Sequence, residues 1–188
     1  MSKKSLKQFN PERVANFEAR MWRAYYRHNF LMLFFLLIGL AREFFGVDYF
    51  TAMRMGYHSA LAATDFRLKK KTQSEDKTRI LKELTCFYKL IFDHSLEAFD
   101  YKKAAQLEMD WWFIDRYPDR YPISREEALA QGMAVVFNTD PTRLAGYADY
   151  RARAMVLQDE AEVDKKESDW ELVESLLIKS YEALSRGV

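Results

Sequence analysis

Five polar residues lie on otherwise apolar helical faces of this sequence, and together they could do chemistry. Glu18 and His28 belong to the first predicted helix, and His94, Glu108 and Arg151 belong to three later ones. In one shared cavity they would offer two imidazole rings and two carboxylates beside a guanidinium. That ligand set favours zinc, iron or manganese over calcium, which prefers oxygen ligands alone. The sequence therefore predicts, as one hypothesis, an internal pocket that binds a metal or a small molecule.

Aromatic residues would form the walls of this pocket. Trp22 and Tyr25 lie in the same stretch as Glu18, and Trp111 and Trp112 follow Glu108 at three and four residues. Residues three or four apart share one face of a helix, so each of these rings can lie beside a polar group. The other interpretation is that they are separate core and boundary contacts. Spacing leaves both interpretations open, since it cannot show that faces of different helices meet at one height.

Arg151 is the polar residue whose surroundings are most apolar. Leu144, Tyr147 and Met155 share its face of a predicted helix. Burying a charge is costly unless the charge is paired. We therefore expect Arg151 to be buried and to form an ion pair, and Glu108 is the predicted partner.

The sequence has none of several common catalytic motifs. It lacks a glycine-rich phosphate loop, a Gly-x-Ser-x-Gly turn and a His-Glu-x-x-His helix. Internal carboxylates on helices resemble the ferritin-like di-metal proteins in architecture only, because that site needs Glu-x-x-His and the sequence contains none. A standard di-iron site is therefore not expected. Whether the chain is an enzyme, and with which cofactor, stays open.

The elements that must position these residues are predicted to be helices. Glycine (6) and proline (4) are scarce among 188 residues, and no segment alternates between polar and apolar residues as strands do. We predict a flexible basic leader at 1–9 and a single all-helical domain at 10–188, an all-α bundle of six or seven helices. Its first helix is predicted to be long and central, from Pro11 to about Phe45, with a kink near Asn29 or Gly39.

Start signals divide the rest of the chain. Asp48 is predicted to cap a helix at about 49–69, and further helices are predicted at about 75–98 and 100–117. Four stronger signals pair a polar cap with a proline or a glutamate, and they are Asn10-Pro11, Ser124/Glu127, Asp140-Pro141 and Ser168/Glu171.

Composition also restricts the class of partner. The net charge of +1 gives no electrostatic reason to expect nucleic acid. The single cysteine excludes an internal disulfide and fits a cytoplasmic location. The one long apolar run, Phe30–Ala41, has 12 residues, fewer than the roughly 20 of a transmembrane helix, so a buried core helix is predicted.

Three functions remain as hypotheses. The first is a soluble interaction or structural protein that acts as a subunit or adaptor, bound to a protein partner or self-associated. Its support is that 14 Phe, 11 Tyr and 8 Met exceed the needs of one small core, and such residues are enriched at interfaces. The second is the bundle with the polar and aromatic pocket, and an enzymatic activity would belong to it. The third is peripheral membrane binding through the first helix and its basic leader.

Overall fold

The chain folds into α-helices throughout the part that the structure describes. The computed structural model describes residues 3–72, 77–164 and 169–188, and in these ranges it contains no β-strand, only an isolated bridge between Lys4 and Ser95. The all-α prediction is confirmed. The helices are α1 (Pro11–Tyr26), α2 (Phe30–Phe45), α3 (Tyr49–Thr72), α4 (Thr78–His94), α5 (Tyr101–Arg116), α6 (Arg125–Phe137), α7 (Ala145–Asp164) and α8 (Trp170–Gly187), with 3₁₀ turns at Pro118–Arg120 and Pro141–Leu144.

The prediction of six or seven helices with one long N-terminal helix needs correction. The predicted first helix is two helices, α1 and α2, which separate at Arg27, His28 and Asn29. His28 has a φ of 55°, a left-handed conformation that a continuous helix cannot contain. Asn29, one of the two predicted kink positions, caps α2 by accepting a hydrogen bond from the backbone N–H of Met32.

The predicted caps explain why most helices start where they do. The side chain of Asn10 accepts a hydrogen bond from the backbone N–H of Arg13 at 3.0 Å and starts α1. Ser124 and Glu127 form both hydrogen bonds of a capping box at the start of α6. Asp48 accepts from the backbone of the first turn of α3. These three helix starts could therefore be predicted from local sequence.

Two other predicted starts differ in detail. Asp140 caps the chain as expected, but the first turn after it is 3₁₀ and α7 begins at Ala145. Ser168 lies outside the described residues, and α8 is capped by Asp169, which accepts from the N–H of Leu172. The predicted start near residue 75 also lies outside the described residues, and α4 begins at Thr78.

Each helix packs mainly on its neighbours in the chain, and α8 returns to pack on α1. This order forms a closed ring, whose inner faces build the core. The residues before α1 join it: Leu6 has no exposed surface, and the backbone of Lys4 is hydrogen-bonded to that of His94 and Leu96. Lys4, Ser5 and Leu6, in the predicted flexible leader, thus lie against the end of α4 and the residues that follow it, and Phe9 packs on Phe44 and Tyr181.

Candidate functional site

Glu18, Arg151 and Tyr181 form a buried polar cluster, which we call the Glu18 cluster, where α1, α7 and α8 meet. Glu18 is only 3% exposed. Arg151 donates from Nη1 to Glu18 Oε2 at 2.7 Å and from Nη2 to Glu18 Oε1 at 2.5 Å, so the two side chains form a bidentate ion pair. The hydroxyl of Tyr181 donates to Oε2 of the same carboxylate at 2.6 Å. Both carboxylate oxygens therefore have partners within the protein.

The ion pair determines the protonation of the Glu18 cluster. Burial lowers the pKa of the Arg151 guanidinium, but the charge of Glu18 outweighs burial and leaves that pKa well above its ordinary value. For Tyr181, burial and then the charge of Glu18 raise the pKa of the hydroxyl well above its usual range. Arg151 is thus held as a cation and Tyr181 as a neutral donor. Neither group is prepared to give up a proton at neutral pH.

Glu108 is the centre of a second group, the Glu108 cluster, between α4 and α5. Its Oε2 accepts from the hydroxyl of Tyr88 at 3.1 Å, and its Oε1 accepts from the indole N–H of Trp112 at 3.0 Å. Burial raises the pKa of Glu108, and its contacts with Trp111, Trp112 and Tyr88 offset this only in part. A carboxyl with a raised pKa and neutral donors around it has the environment of a general acid or base, but also that of a buried structural group.

The charged groups of the two clusters interact electrostatically within the core. The charge of Arg151 contributes to lowering the pKa of Glu108, and both Glu18 and Glu108 contribute to raising that of Tyr147. Tyr147 is 1% exposed, and burial raises the pKa of its hydroxyl to about 12. The guanidinium of Arg151 lies 6.0 Å from its ring centroid. Three of the five predicted polar residues thus lie in one region of the interior, on α1, α5 and α7.

The partner of Arg151 differs from the prediction. The acid that binds it directly is Glu18 of α1 rather than Glu108 of α5. Hydrogen bonds explain the difference, because Glu108 is already held by Tyr88 and Trp112. Helical spacing indicated that all three charged residues face inward, but it could not rank two acids on different helices as partners.

The two predicted histidines lie elsewhere. His28 is exposed at the joint between α1 and α2. His94 is half-buried at the end of α4, where Nδ1 contacts the backbone oxygen of Leu90 at 2.9 Å and Nε2 contacts the hydroxyl of Thr51 at 3.2 Å. Within residues 3–72, 77–164 and 169–188, no group of three or more His, Cys, Asp or Glu side chains could hold a metal ion. The geometry there gives no support to the metal hypothesis.

The predicted wall residues divide in the same way. Trp22 lies beside the Glu18 cluster, with the guanidinium of Arg151 5.6 Å from its ring. Trp112 belongs to the Glu108 cluster, and its ring meets Phe66 edge-on at 5.5 Å, while Trp111 is half-buried beside it. Tyr25 is 49% exposed, and its ring contacts that of Tyr26 at 5.4 Å.

Sequence reasoning missed three polar groups that the structure brings into play. Tyr181 and Tyr88 complete the two clusters, and His58 contacts Glu83 at 2.7 Å between α3 and α4. Tyr181 carried a signal that could have been used, because it lies four residues after Leu177 on the apolar stripe of the last helix. A buried tyrosine on such a stripe needs a partner for its hydroxyl.

A second candidate site lies on the surface of α2 and α3. Twelve large apolar side chains are exposed among the described residues, and nine of them lie between 25 and 57. We call seven of these the α2–α3 apolar face: Phe30, Leu31, Met32, Phe35, Phe50, Met53 and Tyr57. The two helices pack on each other at Gly56, where a Cβ would lie 3.4 Å from the ring of Phe34.

The apolar run of α2 is only partly buried. Leu36, Ile38 and Ala41 in its second half belong to the core, but the first turn is open to solvent. The prediction that the whole run is a buried core helix is therefore correct for its second half only. No described helix is by itself long and apolar enough to span a membrane; α2 and the following Tyr49–Arg67 reach that length and composition only as a pair bent by 118°.

Comparisons with known proteins add no assignment to these two sites. No family model matches the chain, no curated protein matches it, and no solved structure matches its fold.

Proposed function

We propose that this protein is a helical interaction protein, a subunit or adaptor, that acts through the α2–α3 apolar face. The observation that carries the proposal is the concentration of nine of twelve exposed large apolar side chains between residues 25 and 57. Single exposed apolar residues are ordinary, but a group of this size is typical of an interaction surface. The proposal includes a cytoplasmic location and contact with a partner or with a second copy.

The chemistry of the interior supports the same interpretation. In the Glu18 cluster, both carboxylate oxygens already bind partners, and these three hydrogen bonds use most of the acceptor capacity of the carboxylate. The alternative of a small-molecule pocket is favoured by one observation, the buried Nε of Arg151, which has no hydrogen-bond partner. The Nε–H group alone is a weak basis for a binding site, because both terminal nitrogens of Arg151 already donate to Glu18.

Site-specific photocrosslinking in the native host tests the proposed function. A photoreactive phenylalanine derivative replaces Phe50, which is 75% exposed on α3, and in separate variants Leu31 on α2 or the control residue Leu96. Leu31 and Leu96 are matched because they are the same residue type and are 71% and 65% exposed. We expect covalent adducts from Phe50 and Leu31 and few from Leu96. Equal adduct yields at all three positions would overturn the proposal.

A further inference from the structure

The N-terminal turn of α2 is exposed around most of its circumference. Phe30, Leu31 and Met32 are 56%, 71% and 46% exposed. Successive helical residues are about 100° apart, so these three cover roughly 200° of the helix surface. A groove on a folded partner covers one side of a helix, whereas a lipid phase surrounds an apolar tip on every side. The shape of this tip therefore fits a bilayer interface.

Within the chain segment 19–67, which includes the tip, the exposed charges have one sign. Between residues 19 and 67, every exposed aspartate, glutamate, lysine or arginine is an arginine, and there are six of them: Arg20, Arg23, Arg27, Arg42, Arg54 and Arg67. The three acids in this range are not exposed. Glu43 is paired with Arg13, Asp65 with Arg79, and Asp48 caps α3.

The basic character extends over the whole N-terminal part of the chain. Residues 1–72 hold 13 of the 29 basic side chains and 5 of the 28 acidic ones, so the net charge of +1 conceals a basic part and an acidic part. Cations beside an exposed apolar surface are complementary to anionic lipid, where each basic residue near the surface contributes about 1 kcal/mol. Arg54 lies within the face itself, between Met53 and Tyr57.

A second copy of the chain fits this surface less well. In a two-fold dimer the same patch faces itself, so arginines would face arginines, and the exposed residues of this range offer no acid to compensate them. Spanning the bilayer fits less well too. The 16 residues of α2 would measure roughly 24 Å, against about 30 Å of hydrocarbon, and its second half is fixed in the core.

We propose that the α2–α3 apolar face docks on the surface of an anionic lipid bilayer. Phe30 and Leu31 enter the interface, and exposed arginines of the same segment bind lipid phosphate groups through their planar guanidinium donors. Tyr25, which is also exposed and lies just before the joint that leads into the tip, is a residue type that favours the boundary between headgroups and hydrocarbon. This inference rests on the proposed function, for which it names the partner.

Vesicle co-sedimentation of the full chain tests the inference. One set of vesicles contains phosphatidylcholine alone, and in the other a part of it is replaced by phosphatidylglycerol. We expect binding to the anionic vesicles and much weaker binding to the neutral ones. Raising the salt concentration from about 0.1 M to about 1 M shortens the screening length from roughly 10 Å to 3 Å and should release the protein.

Matched variants separate the apolar and the charged contributions. Leu31→Ser should weaken binding about tenfold, as expected for the loss of one inserted leucine, whereas Leu96→Ser should leave it unchanged. Arg54→Glu should weaken binding to anionic vesicles by at least about fivefold, and Arg153→Glu, an exposed control on α7, should not. Circular dichroism of each variant verifies that the helices are intact.

The two proposals fail in distinguishable ways. Absence of binding to anionic vesicles, equal binding to neutral ones, or equal loss in Leu31→Ser and Leu96→Ser would each overturn the lipid inference. If the photocrosslinks from Leu31 and Phe50 then join another protein, the interaction function stands with an acidic, apolar protein as its partner. If those crosslinks are missing as well, the proposed function fails with it.

Discussion

Removing Arg151 should destabilise this protein far more than removing any exposed arginine. Arg151→Met keeps an apolar stem of similar length but leaves the carboxylate of Glu18, which is 3% exposed, with only the Tyr181 hydroxyl as a partner. Leaving a buried charge without its partner lowers the free energy of unfolding by on the order of 3–5 kcal/mol. For a chain of this size, that loss corresponds to a fall in Tm of about 6–20 °C.

The structure supplies a matched control on the same helix. Arg153, two residues further along α7, forms an exposed pair with Asp149 at 3.6 Å, with side chains 61% and 59% exposed. Exposed pairs of this kind contribute about 0.2–1 kcal/mol, so Arg153→Met should change the free energy of unfolding little. Urea unfolding followed by circular dichroism measures both variants under the same conditions.

A double mutant distinguishes the ion pair from the mere loss of packing. Glu18→Gln keeps an acceptor for Tyr181 and removes the carboxylate charge. In Glu18→Gln/Arg151→Met no buried charge is left, so the double mutant should be more stable than the sum of the two single losses predicts, by about 2 kcal/mol. The reasoning is refuted if the effects simply add, or if Arg151→Met loses no more stability than Arg153→Met.

Two further predictions follow from single positions. Burial raises the pKa of Tyr147 to about 12, above the ordinary value of 10.0. The contribution of this hydroxyl to stability is therefore fully present below pH 10 and is lost as the pH rises through 12. In an absorbance titration, some tyrosines should ionise only as the chain unfolds, whereas ionisation of all eleven in one step near pH 10, with circular dichroism still native, would contradict this. His28→Gly should raise the free energy of unfolding by about 0.5–1 kcal/mol, because glycine accepts the left-handed φ of 55°. Arg20→Gly, inside α1, is the control and should lower the free energy of unfolding by a similar amount. If urea unfolding shows that both substitutions change the stability in the same direction, the conformation of His28 is not strained.

The helical class and the inward-facing residues could be predicted because both depend on local spacing. Glu18 and Arg151 each carry a polar group on an apolar stripe, and both are found inside. Their pairing could not be predicted, since the two residues are 133 positions apart in the chain. Spacing along a helix indicates which face a side chain lies on, but not which residue of another helix lies opposite it.

The break between α1 and α2 shows a different limit. The sequence predicted only a kink near Asn29, because a left-handed residue such as His28 is uncommon in any residue type except glycine, even though histidine adopts it more often than most others do. The composition of α2 was also misleading. Its apolar run is typical of a core helix, yet α2 packs mainly on α1 and α3, and Phe30, Leu31 and Met32 in its first turn stay exposed. Burial depends on the neighbours of a helix as much as on its residues.

Two departures from the rule that polar groups lie outside and apolar groups inside, the Glu18–Arg151 pair and the exposed first turn of α2, differ in one physical respect. The buried charges of Glu18 and Arg151 are compensated within the chain, each by the other, and the pair joins α1 to α7 while Tyr181 adds α8. A compensated departure of this kind closes the ring of helices and needs nothing from outside. The side chains of Phe30, Leu31 and Met32 remain 46–71% exposed, although the ring of His28 lies 6.1 Å from that of Phe30, so most of this apolar surface is uncovered within the described chain. Because local rules are most often broken at functional sites, the uncompensated departure is where we expect the function of this protein to lie.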